Sequence, residues 1–72
     1  LPSLDRQKII GDVQAELTYR LRKLPTPDQV ADISNIIAKK YTKRLLRGET
    51  DINPRAFFNE DDVSLKLLQM AA

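Results

Sequence analysis

Five cations crowd into nine consecutive positions of this 72-residue chain: Lys39, Lys40, Lys43, Arg44 and Arg47. On a helix they occupy one broad arc. Such an arc suits a nucleic-acid backbone, an acidic partner segment, or an anionic membrane surface. Its simplest use is a solvated face that also complements the negative end of its own helix. The only aromatic within the cluster, Tyr41, falls on the apolar side of that helix, so bases have no stacking platform there.

Other chemistry-bearing groups are thinner. Asp51 to Asp62 span the twelve positions of a calcium loop, with Asp51 and Asn53 at ligand positions. Arg55 then stands where a ligand is needed, Ala56 where the sharp turn needs Gly, and Asp62 where Glu is usual. Ser3, Ser34 and Ser64 have no His to activate them, because the chain contains none. Asp12 and Glu16 lie one helical turn apart on the polar side of the first helix, with nothing to split them into an acid and a base. Gly11 and Gly48 are the only glycines, so there is no phosphate-cradling loop. With no Cys there is neither a disulfide nor a thiolate zinc site. These residues point away from an enzyme and imply no metal or cofactor.

The cations sit on the best-marked helix in the chain, residues 26–48. Thr26 is a natural N-cap, Pro27 suits the first helical position, and Gln29 completes a capping box. Asp28 loads the first turn with negative charge, and Gly48 is a stop. Val30, Ile33, Ile37, Tyr41 and Leu45 recur at spacings of three and four, with Ile36 at the edge of that stripe. Leu46 lies opposite it.

Before this helix, Leu1-Pro2 reads as a linker end and Ser3 as the cap of a first helix running to about Leu24. Its stripe is Ile10, Val13, Leu17, Leu21 and Leu24, widened by Ile9. Gly11 is either a tolerated defect or a point of close helix approach. Tyr19 lies opposite the stripe. The link Leu24-Pro25-Thr26-Pro27 is short and stiff, which makes the two helices antiparallel neighbours. Long antiparallel helices do not suit a helix-turn-helix DNA reader, whose helices cross steeply.

After Gly48, Asn53-Pro54 can open a single helical turn, and Ile52, Phe57 and Phe58 are apolar enough to plug one side of the hairpin. A third helix runs from about Glu60 with Asn59 as cap, Asp61 and Asp62 in its first turn, and Phe58 with Val63 as a staple. Val63, Leu67 and Met70 make one apolar side of it, Leu65 and Leu68 another. A helix apolar on both sides needs cover on both sides.

The expected fold is therefore all-α: an antiparallel helical hairpin plus a short C-terminal helix in one domain over residues 1–72, completed by dimerisation or a partner. Small chains without disulfides or metals rely on idealised helix packing or oligomerisation. The expected function is protein–protein interaction or oligomerisation through Tyr19, Leu46, Leu65 and Leu68, with itself or another helical segment. The alternative is nucleic-acid binding through Lys39, Lys40, Lys43, Arg44 and Arg47, though the net charge is only +2. No run approaches the roughly 20 apolar residues of a membrane span. Because the chain opens on Leu1 and has no cysteine, we expect part of a longer intracellular protein, cytoplasmic or nuclear.

The stretch KLPTPDQVADISNIIAKK resembles the turn between the first and second helices of KIX-type coactivator domains. The likeness rests on Leu24 to Asp28 and the amphipathic helix that follows, and the sequence departs from that pattern after Gly48. The resemblance implies a three-helix domain that binds amphipathic activation helices.

Overall fold

The computed structural model describes residues 3–71 and is all-helical, with no strand among them. Helix α1 spans Ser3–Leu21 and α2 spans Pro27–Leu46; a 3₁₀ segment, Pro54–Asn59, leads into α3, Asp61–Ala71. The proposed linker end, Leu1-Pro2, lies outside the described residues. α1 is already helical at Ser3, so the expected cap residue stands in the first turn instead.

α2 begins as its sequence dictates. The Gln29 N–H donates to the Thr26 hydroxyl at 3.1 Å, and the Thr26 N–H donates to Gln29 Oε1 at 2.9 Å. It ends in a Schellman motif around Gly48, whose φ is 86°. The Gly48 N–H donates to the Leu45 carbonyl at 2.9 Å and the Glu49 N–H to the Arg44 carbonyl at 3.2 Å.

α1 stops three residues earlier than expected. Pro25 disfavours a helical Leu24, and the chain leaves the helix through Arg22 at φ 57°, with the Arg22 N–H still bonded to the Thr18 carbonyl. Leu24 is therefore exposed rather than on the stripe. The buried set of α1 is Ile9, Val13 and Leu17, while Ile10 is 42 % exposed. The plug decides this. Phe57 and Phe58 cover the Ile9 side of the hairpin, and Ile10 edges the uncovered groove on the other. On α2 the buried apolar residues are Ile33, Ile37 and Tyr41; Val30 and Ile36 pack against them and Leu45 reaches the surface.

The 3₁₀ segment forms as the Asn53-Pro54 pair suggests, with Asn53 Oδ1 accepting from the Arg55 N–H at 3.0 Å. It carries Phe57 and Phe58 into the core beside Ile52. The cap of α3 is Glu60 rather than Asn59. Asn59 is still needed to close the 3₁₀ turn, and the extended Glu60 accepts from the Ser64 N–H at 2.9 Å. Val63 and Leu67 close the core from α3, with Met70 packed at its edge. A Cβ at Gly11 would meet nothing within 4 Å, so no helix approaches closely there.

Candidate functional site

The cationic arc of α2 is divided by the fold. Lys40 Nζ donates to Glu60 Oε1 at 2.8 Å and lies 3.1 Å from Asp62 Oδ2. Arg44 pairs with Glu60 at 3.6 Å, and its guanidinium stacks over the Phe57 ring, 4.7 Å from the centroid. These two cations bind α3 and the 3₁₀ segment to α2. Lys39, Lys43 and Arg47 stay on the surface and make no ion pair among the described residues.

This clasp has a defined pH response. Its hydrogen bonds to Glu60 and then Asp62 hold the Lys40 ammonium above its ordinary 10.5. The Lys40 bond in turn holds the Asp62 carboxyl below its ordinary 3.8. The Asp62 contribution is present above 3.8 and fades as pH falls through the depressed value. The Lys40 contribution is present below 10.5 and fades as pH rises through the raised value. Asp62→Asn should therefore lower the thermal midpoint at about pH 7, with the gap to the parent closing towards about pH 2. A gap that persists undiminished in acid would exclude the charge as its cause.

A second set of charges is also committed within the chain. Arg55 reaches Asp12 at 3.8 Å and Glu16 at 3.6 Å, and Glu16 also pairs with Arg20 at 2.9 Å. The Asp12 and Glu16 pair thus fastens the 3₁₀ segment to α1. Of the calcium-loop candidates, Asn53 caps that segment and Asp62 belongs to the clasp, while Asp51 adopts a left-handed φ of 56°.

The apolar candidates all reach the surface. Leu65 is 58 % and Leu68 68 % exposed, against 8 % for Leu67 beside them. Leu68 joins Leu21, Leu67 and Ala71 in a groove of about 380 Å³ between the end of α1 and α3, with Arg20 and Ser64 at its rim. Tyr19 and Leu46 are 80 % and 83 % exposed, on faces of α1 and α2 turned away from the core. The structure therefore places the four residues on three separate surfaces.

A second groove, of about 430 Å³, runs along the open side of the hairpin. Ile10, Pro25, Pro27, Val30 and Ala31 line it, and Ser34 lies against it with a buried hydroxyl that has no partner among the described residues. Sequence reasoning missed this groove, because Ser34 reads as one more polar residue beside the stripe. Comparison with known protein families, curated proteins and solved structures gives no match.

Proposed function

We propose that this chain is a protein–protein interaction module, without enzymatic activity, that docks an apolar helical segment of another chain against α3. The observation that carries this reading is the exposure of Leu65 and Leu68 on a helix whose other side is already buried through Val63 and Leu67. Leu68 continues into the groove with Leu21 and Ala71, which gives a partner helix a trough for anchors one turn apart. Nucleic-acid binding on the basic arc is the weaker reading. Lys40 and Arg44 are engaged by Glu60 and Asp62, and Tyr41 is buried.

Selection of helical peptides from a random library against the folded chain tests the proposal. Enriched sequences should carry apolar residues at helical spacing. They should lose at least about tenfold in affinity for Leu65→Asp and Leu68→Asp, exposed sites where the fold tolerates change. Peptides that bind these variants as tightly as the parent, or no enrichment at all, would remove α3 as the docking surface.

A further inference from the structure

The face of α2 turned directly away from the core carries Asp28, Asp32, Asn35, Lys39, Lys43 and Leu46, all exposed. The acids occupy the N-terminal half and the bases the C-terminal half. Asp28 and Asp32 are an i,i+4 pair of like charge, and so are Lys39 and Lys43. Such pairs destabilise a helix. Among the described residues none of the four makes an ion pair within the chain. The helix dipole accounts for Asp28 and Lys43, which lie in the terminal turns. Its effect fades beyond a turn, so it does not account for Asp32 and Lys39.

We propose that this face pairs with the same face of a second copy of the chain, antiparallel about a two-fold axis beside Asn35. In an antiparallel pair centred between positions 35 and 36, Asp28 meets the partner's Lys43 and Asp32 meets the partner's Lys39. The two-fold repeats both contacts, so one register satisfies all eight charges. A parallel pair would set Asp28 against Asp28 and Lys43 against Lys43, which electrostatics disfavours. The antiparallel register also directs Leu46, exposed at the end of α2, towards the partner's exposed Leu24 and half-buried Pro25. The arrangement is self-complementary, as a two-fold interface must be. It deepens the interaction-module reading and rests on it, but it uses α2 and leaves α3 free.

Sedimentation equilibrium at low salt, on the parent and three variants, tests this. The parent should dimerise. Lys39→Asp with Lys43→Asp, and separately Asp28→Lys with Asp32→Lys, should each raise the dimer dissociation constant at least about tenfold. An equimolar mixture of those two double variants should form a one-to-one heterodimer. Leu65→Asp should dimerise like the parent. In the chain's cysteine-free background, Asn35→Cys should give a disulfide-linked dimer under mild oxidation, while Lys66→Cys on α3 should not. A parent that stays monomeric, or charge variants that keep the parental mass, would overturn the α2 pairing without touching the peptide result. A dimer dissolved by Leu65→Asp but indifferent to the charge reversals would overturn it too, and would place self-association on α3.

Discussion

Phe58→Ala is expected to abolish the cooperative unfolding transition of this chain. The ring is fully buried, 0 % exposed, where the 3₁₀ segment meets both hairpin helices and α3. The Arg20 guanidinium lies over its face, 5.5 Å from the centroid. Truncating a buried Phe costs about 3–5 kcal/mol, through lost transfer energy and the cavity left behind. A core of this size rarely supplies more than about 3–5 kcal/mol of net stability. The loss is thus comparable with the whole stability. Thermal melts followed by circular dichroism should become broad or featureless, and the amide proton spectrum should collapse towards random-coil shifts. Phe58→Leu, which keeps most of the volume, should retain a sigmoidal melt at a lower midpoint. An alanine variant with a midpoint within a few degrees of the parent would mean that the plug is not the keystone of the core.

Leu67→Ala and Leu68→Ala should behave as opposites although they are sequence neighbours. Leu67 closes the core from α3, and its truncation should cost about 2–3 kcal/mol, near the lower end for Leu→Ala because its exposure is not zero. Leu68 stands mostly in water, so its truncation should change stability by no more than about 0.5 kcal/mol. Urea unfolding midpoints measure both directly. A similar loss at the two positions would mean that α3 is rotated about its axis relative to the hairpin. The contact face offered to a partner would then be a different one.

The elements of this fold were largely legible because local chemistry marks them. The Thr26 capping box, the Gly48 stop, the Asn53-Pro54 turn and the apolar character of Phe57 and Phe58 act over a few residues, and each appears as read. The stripe of α1 was misjudged because periodicity alone does not say which side of a hairpin will be covered. Ile9 and Ile10 are equally apolar, and only the position of Phe57 and Phe58 decides between them. The end of α1 and the cap of α3 moved because two short signals competed within a few residues, at Pro25 and at Asn59. At the candidate surfaces, exposure of Leu46, Leu65 and Leu68 followed from the helical wheel. The loss of Lys40 and Arg44 to Glu60 and Asp62 did not, because those partners lie well along the chain and no local pattern links them.

The plug also sets an order of events during synthesis. Phe57 stands twenty positions after Ile37, the last residue of the hairpin core before Tyr41. At about 5–20 residues per second, Ile37 is translated roughly one to four seconds before Phe57, and Ile9, Val13, Leu17 and Ile33 earlier still. During that interval the nascent hairpin can present a continuous apolar face, wider than anything the finished chain shows. A chaperone that recognises short aliphatic runs would meet its substrate then, and would lose it once Phe58 arrives.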